Sequence, residues 1–517
     1  MKLSIFLFPG VAFGYAVGSH GHANIAHRPK AGHSGTEAPY PYGTGSRCRP
    51  GTGVSLNTGV VLSTVVPLST AVPSSVASSS LSSLYLSTAV ASSSASSASS
   101  ASSASSASSS LSTPSASSVP LISSETSSLA SVDQLYAPAT FQHPGLLNTA
   151  ADFERIRANI AAGKQPWTQA WHQILDSGYA SPTYEPQPAP TIYRGLDGVH
   201  AENYAQLYED VAAAYVLAIC YSISQNSSYG DAAVRVMDAW SETLVALGGD
   251  NDVYLAASIY GYEFSQAGEL MRGYEGWSAA NFTRFQDMMI TVFYDVVDFW
   301  FVSHENWASY SSSVYSNWDL ANIAAAMSIG IFTDNTTIYN QGIEWFYNGT
   351  GNGQINEAVP YFHWYDNEWL GQTQESGRDQ GHDTLVIALL SVIGQTAYNQ
   401  GSDVFAYENS TILAASEYVA RYNMFSDVPY TPYDHWPLVL PSISNDSRGD
   451  VRPNWELLYN HYGVLKGQNV TWIKKFRDME VNTTGGVEAG SGWYGPNSGG
   501  YDQLGWGTLL YTLDESS

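Results

Sequence analysis

Three short stretches of this chain concentrate side chains that can do chemistry. The densest is Glu375-Ser-Gly-Arg378-Asp379-Gln380-Gly381-His382, where ionisable groups and two glycines stand directly ahead of an apolar run. A surface loop has no need of so many charges against a buried helix. Arg378 and His382 are four residues apart and share a face if the helix begins by Arg378, and an imidazole carries protons near neutral pH. The plainer account is a buried pair, Glu375 with Arg378, bracing two helices. The second stretch is Tyr315-Ser316-Asn317-Trp318-Asp319, at the start of another apolar run. Ser316 or Asn317 would cap that helix with Trp318 in the core, or Asn317 would aim a neutral amide into a cavity. The third runs from Arg452-Pro453 to Tyr459-Asn460-His461-Tyr462. Pro453 suits a first helical position, which puts Arg452 at the helix mouth. Tyr459 follows two turns later on nearly the same face. A cation beside a phenol favours its phenolate; Arg stacked on a core Tyr is the alternative.

These groups fit one reaction better than others. In a 1,4-linked uronic acid, C5 carries a weakly acidic hydrogen beside a carboxylate, and the barrier to its removal is the charge that builds on that carboxylate. An amide, an imidazole and a guanidinium around it stabilise that charge. Asn317, His382, and Arg378 or Arg452 are such groups. Tyr459, activated by Arg452, would take the C5 proton and return one to the leaving oxygen, with neither metal nor cofactor. An inverting glycoside hydrolase needs two opposed carboxylates instead, and Glu375 with Asp379, or Asp366 with Glu368, are the pairs on offer. Arg and His around the octet's carboxylates favour an anionic ligand. A non-catalytic carbohydrate-binding wall protein would use the 15 Trp and 35 Tyr as sugar platforms, although aromatics in helical domains usually serve the core. Asp250-Asn-Asp252 reads as a solvated turn before a cation site.

Something must hold these stretches together. From Tyr136 to the C-terminus apolar residues recur with helical spacing, and strand-like alternation is scarce. Phe153, Ile156 and Ile160 mark a helix over 152–162. Helices over 204–224 and 231–247 form a pair joined by a polar turn. The same grammar returns in 320–331 with 339–345, and in 382–393 with 397–401. The first helix of each pair is apolar nearly all round and the second has a wet face. That pattern predicts an all-α fold, an (α/α) toroid built as an incomplete barrel of helical hairpins, with an irregular bundle or solenoid as the alternative.

The chain before this domain cannot pack. Residues 1–23 read as a signal peptide: Lys2, an apolar run to Val17, then small residues. The run is shorter than the roughly 20 residues of a membrane span. Residues 24–135 form a disordered Ser/Ala-rich stalk or linker whose surface cannot offset its conformational entropy. The tail histidines (His20, His22, His27, His33) read as solvated. Secretion, with or without attachment to a cell wall, is the expectation, and eight Asn-x-Ser/Thr triplets in the helical part predict N-glycosylation. Cys48 and Cys220 are not expected to pair. No later segment is expected to cross a membrane. A net charge of −26 disfavours nucleic acid and anionic membranes as partners. It does not exclude an anionic polysaccharide, because screening acts within about 10 Å and a cleft needs few cations. A monomer is expected.

Residues 136–517 resemble the alginate lyase domain of fungal and bacterial polysaccharide lyases, closest to the branch that includes glucuronan lyases. His143-Pro-Gly-Leu-Leu with Phe153 to Ile156, the Ser316-Asn317-Trp318 step, the octet Glu375 to His382, and Arg452 to Tyr459-Asn-His461 carry the resemblance. It implies an α/α toroid and β-elimination, with Tyr459 as base and acid and Asn317, His382 and Arg452 neutralising the carboxylate. Glu375, Arg378, Gln380, Trp318 and His461 then bind substrate. The chain departs from the better-known alginate lyases in one step, having Trp318 where they have His after Asn. Either His382 takes that role or the neutraliser differs, and alginate, glucuronan and other glucuronate polymers all stay open.

Overall fold

The computed structural model describes residues 136–306, 314–435 and 438–514, with side chains throughout except at 304–306. The expected leader, the Ser/Ala-rich stalk, Cys48 and the tail histidines lie outside the described residues. The chain opens with α1 (Ala150–Ala161), α2 (Trp167–Leu175) and β1 (Thr191–Arg194). A first hairpin follows, α3 (Ala205–Ser224) and α4 (Ser227–Thr243), then β2 (Ala246–Gly249), which pairs in parallel with β1. Next come α5 (Val253–Leu270), α6 (Ala279–Met288), a π-helical turn and α7 (Asp295–Asn306). A second hairpin is α8 (Ser316–Phe332) with α9 (Thr336–Asn348). The one-turn α10 (Ile355–Ala358) leads to the antiparallel ribbon of β3 (Tyr361–Tyr365) and β4 (Glu368–Gln372). After it stand α11 (Gln380–Asn399), α12 (Tyr407–Asn423) and the ribbon of β5 (Tyr433–His435) and β6 (Leu438–Leu440). The chain ends with α13 (Trp455–Leu458), which continues as a π-helical turn to Leu465, then α14 (Thr471–Thr483) and α15 (Gly507–Leu510).

Helices α3, α5, α8, α11 and α13 pack side by side in chain order, and α4, α7, α9, α12 and α14 lie outside them. The gap between α13 and α3 is bridged by α1 and the single turn α15. The fold is thus the α/α toroid expected, an incomplete barrel of hairpins. Composition explains the two layers. Every residue from Leu320 to Phe332 of α8 is buried, so that helix must be covered on all sides. In α4 the stripe Ala233, Val236, Met237 and Trp240 is buried together with Gly230, Ala232 and Val234, while Ser227, Asp231 and Glu242 are exposed. Helix α3 is long and apolar enough to cross a membrane by length and composition. Its apolar window is 78% buried within the ring, so the apolarity is consumed by packing.

One predicted hairpin is wrong. Residues 382–393 and 397–401 do not fold back on each other; α11 runs unbroken from Gln380 to Asn399 and its partner is α12. Gly394, inside that helix, admits the Phe405 ring, which a Cβ there would meet at 2.6 Å. Another boundary moves because Asn226 caps the Ser228 N–H, starting α4 at Ser227, and the end of the predicted helix becomes β2.

Three buried carboxyl groups meet where α13, α14 and the C-terminal segment join. Glu456 accepts from Thr508 Oγ1 at 2.9 Å and faces Arg477 at 3.3 Å, and its N–H donates to Glu488 at 2.8 Å. Glu480 accepts from Tyr494 at 2.7 Å. One oxygen of Glu480 and one of Glu488 have no donor among the described groups, and a proton between these two carboxyls satisfies both. Burial pushes Glu488 up to about 7 and Glu480 well above the usual carboxylate range, the neighbouring Glu side chains adding to it. Unfolded glutamates titrate near about 4.3, so this contribution to stability is complete below that pH and is lost as pH rises through about 7. The melting temperature should therefore fall between about pH 5 and pH 8, and Glu488→Gln should flatten the fall. Calorimetry across that range checks it; equal slopes in the two proteins would refute the shared proton.

Candidate active site

The N-terminal ends of α8 and α11 are capped from one loop. Tyr315 precedes α8 with no side-chain cap of its own, and neither Ser316 nor Asn317 caps the helix. Gln374 instead accepts the Ser316 N–H at 3.1 Å, and Glu375 accepts the Asn317 N–H at 2.7 Å. The same Glu375 oxygen takes the Asn317 amide at 2.7 Å and the Ser316 hydroxyl at 3.2 Å. Its other oxygen meets Arg378 Nη1 at 3.0 Å. A carboxylate at a helix N-terminus is favoured by the exposed N–H groups and the dipole. Glu375 is fully buried and saturated with donors, so it positions Asn317 and Arg378.

Arg378 lies 3.8 Å above the Tyr315 ring with its Nε 3.7 Å from Asp379. Clamped on three sides, its guanidinium is 23% exposed and keeps further N–H groups for a ligand. Asp379 caps α11: one oxygen accepts the His382 N–H at 2.9 Å, the other meets His382 Nδ1 at 2.6 Å. Burial alone would raise this carboxyl, but both His382 contacts and Arg378 hold it below its ordinary value. An ionised Asp379 requires the proton on Nδ1, leaving Nε2 as the free ring atom of a side chain 42% exposed. Arg452 closes the group, with Nη2 3.4 Å from the Gly381 carbonyl and Nη1 3.5 Å from Asp502. Asn317, Glu375, Arg378, His382 and Arg452 are thus brought together at the mouth formed by inner-helix N-termini. Trp318, beside Asn317, is half-buried and stacked on Trp300 at 5.8 Å.

Three predicted residues lie elsewhere. Tyr459 is not paired with Arg452; Arg477 of α14 sits 4.1 Å over its ring and Lys474 6.0 Å. The two-turn spacing fails because Arg452 is outside the helix. Asn454 takes a left-handed backbone with φ 107°, α13 starts only at Trp455, and the turn from Tyr459 is π-helical. His461 is a core residue, 5% exposed, packed on Phe405 at 4.0 Å and Tyr398 at 4.9 Å. Burial lowers its imidazole to about 4, so it stays neutral. Gln380 is fully buried and spends its amide on Ser376, Ser444 and Asn423, pinning the loop where substrate contact was expected. Gly377 gives its space to the Tyr430 hydroxyl and Leu440, and so serves packing.

The hydrolase pairs are not available. Glu375 is spent on its donors, Asp379 on His382, and both Asp366 and Glu368 are ion-paired to Arg421. Asp250 holds a turn by accepting the Leu196 and Asp252 N–H groups, each at 2.9 Å. A guanidinium bonded to a phenol hydroxyl is found at another place: Arg194 donates to the Tyr260 hydroxyl at 3.2 Å, also lying 5.1 Å from the Tyr204 ring. Burial raises the Tyr260 phenol and Arg194 opposes it. Asp502, which faces Arg452, adds its field to both groups. Nothing local in the sequence marks this set, because its members are brought from β1, α5 and the C-terminal segment. Asp383, one turn into α11, is buried against Thr373, and burial lifts its carboxyl to about 7.

A helical toroid whose inner-helix ends present guanidinium, amide and imidazole groups is built to receive an anion, the class of site a polysaccharide lyase needs. Comparison with known proteins agrees. The alginate lyase family model matches residues 164–427, just over half of the chain. The chain belongs to the alginate lyase family, and the enzyme is a polysaccharide lyase. Among solved structures it is similar to an alginate lyase A1-III variant complexed with tetrasaccharide, at 14% identity and TM-score 0.50, covering 73% of this chain and 98% of that one. It also matches alginate lyase A1-III from Sphingomonas species A1, at 14% identity and TM-score 0.45, covering 73% and 98%. An alginate lyase from Bacteroides ovatus matches at 11% identity and TM-score 0.44, covering 72% and 100%. These likenesses concern the fold. No curated protein sequence matches.

Proposed function

We propose that the enzyme cleaves 1,4-linked uronic-acid polymers, of the glucuronan or alginate type, by β-elimination at the mouth of the toroid. The observation that carries this reading is the convergence of Asn317, Arg378, His382 and Arg452 on the ends of α8, α11 and α13. The substrate carboxylate is received by Arg378 and Arg452, with the second N–H of the Asn317 amide and the helix N-termini adding to the same field. As C5–H breaks, the proton passes to Nε2 of His382, whose resulting charge Asp379 stabilises. The C5 electron pair forms the C4=C5 bond while C4–O breaks, and the departing oxygen takes the proton back from Nε2 of His382, which returns the imidazole to its neutral form. His382 therefore fits the proton carrier better than Tyr459, which faces Arg477.

The test follows the ultraviolet absorbance of the unsaturated uronate on glucuronan, alginate and hyaluronan. Absorbance is expected on at least one, and Tyr459→Phe should retain it within about twofold, since the phenol lies outside the cluster. New reducing ends without that chromophore would instead identify a hydrolase. The same reading holds the chain to be secreted and N-glycosylated, supported by the exposure of Asn226, Asn348, Asn409, Asn445, Asn469 and Asn482. Asn281 and Asn335 are half-buried, Asn281 being bonded to Asp238.

A further inference from the structure

The ribbon of β3 and β4 carries large aromatic rings on its outer face. Alternation turns His363, Tyr365, Leu370 and Gln372 inward: Leu370 is fully buried, His363 stacks on Tyr418 of α12 at 6.3 Å, and Arg421 lies 4.7 Å over Tyr365. The other face presents Phe362, Trp364 and Trp369. Trp364 and Trp369 are direct cross-strand partners, 67% and 46% exposed. Phe362 stacks parallel to Trp369, 5.4 Å apart with 8° between planes. One indole face of Trp369 is therefore held against a ring while the side chain stays 46% exposed.

From this geometry we infer an auxiliary polysaccharide-binding platform at Trp364 and Trp369, which takes the C–H faces of sugar rings outside the cleft. Its mount is stiff. The turn residues Asp366 and Asn367 both have positive φ, 51° and 63°, as a tight two-residue hairpin requires. Arg421 binds the carboxylates of Asp366 and Glu368, and the Trp472 indole donates to Glu368 at 2.9 Å. That pairing also removes bare negative charge from beside the rings, which an anionic polymer needs. Two indoles offer far less than the roughly 800 Å² per partner of a standard protein interface, so a thin flexible chain fits better than a second copy. The platform is close in the chain to the cleft, since β4 leads directly into the loop that carries Glu375. Trp369 is six residues upstream of Glu375, on the order of 20 Å of extended chain, within reach of one polymer. The inference rests on the reading of the cleft as acting on a polymer.

The test is affinity electrophoresis of the full chain in gels containing glucuronan or alginate, in a His382→Ala background that removes turnover. Retardation should be weakened by Trp364→Ala with Trp369→Ala and largely restored by Trp→Tyr at both positions. In the active enzyme, the ratio of kcat/KM on polymer to that on a trisaccharide should fall about tenfold in the double alanine variant. Equal retardation with an unchanged ratio overturns the platform. So does a parent chain that neither gel retards, or a drop in oligomer mass on sedimentation of the variant, which assigns the face to a second copy. Should His382→Ala keep full activity, the catalytic reading fails while the retardation comparison still decides the platform.

Discussion

Alanine at His382 is expected to lower kcat on the susceptible uronate polymer by about 100- to 10,000-fold, with KM changed far less. The ring stands on the first turn of α11, tied through Nδ1 to a carboxylate that is itself that helix's cap. Such a tether sets the tautomer and the direction of the free nitrogen, as a general base requires. Removing the imidazole deletes the proton carrier and leaves Arg378 and Asn317 to bind the carboxylate, so the loss belongs in turnover. Asp379→Asn should produce a smaller loss in the same parameter, because an amide no longer stabilises the imidazolium. Initial rates by ultraviolet absorbance on the wild type and both variants decide it. Full activity in His382→Ala would move the proton to another group, with Tyr260 beside Arg194 next in line.

The second large effect is on stability. Glu375→Ala should destabilise the domain by about 3–5 kcal/mol, since it removes one of the two caps of α8 and strips a largely buried guanidinium of its nearest carboxylate. For a domain of this size that is a fall of about 5 °C in melting temperature. Activity should be lost as well, because Asn317 and Arg378 are both oriented by that carboxylate. Glu375→Gln keeps the shape but removes the charge, and it should recover part of the stability and little of the turnover. Calorimetry beside the rate assay separates the two; unchanged stability in Glu375→Ala would show that water caps α8 as well as the carboxylate does.

The octet from Glu375 to His382 was legible because its chemistry is local in the chain. The plain account of it, an ion pair that braces two helices, is met by Glu375 with Arg378, and the function proposed above draws on the same side chains. Glu375 and Asp379 cap α8 and α11, and in doing so they aim Asn317, Arg378 and His382. The capping alternative for Ser316 and Asn317 fails, since Gln374 and Glu375 from a distant loop cap that helix. The expected pairing of Tyr459 with Arg452 failed because helical phase was projected through Asn454, whose left-handed backbone delays the helix, while His461, expected from resemblance alone, packs in the core. Gln380 was misread because donors and acceptors in a loop look the same in sequence whether they meet a ligand or the loop's own carbonyls.

The alternation of fully apolar and one-sided helices, the ring that this alternation demands, and the loop that caps α8 and α11 were all within reach of the sequence alone. Each is a matter of residues within a few turns of one another, where periodicity and capping act. The tertiary structure alone decided that Arg452 meets Gly381 and Asp502, that Arg194 meets Tyr260, that Tyr459 turns to Arg477, and that three glutamates share one buried corner. Those meetings join residues far apart in the chain, and only the packing of whole helices brings them within hydrogen-bonding range.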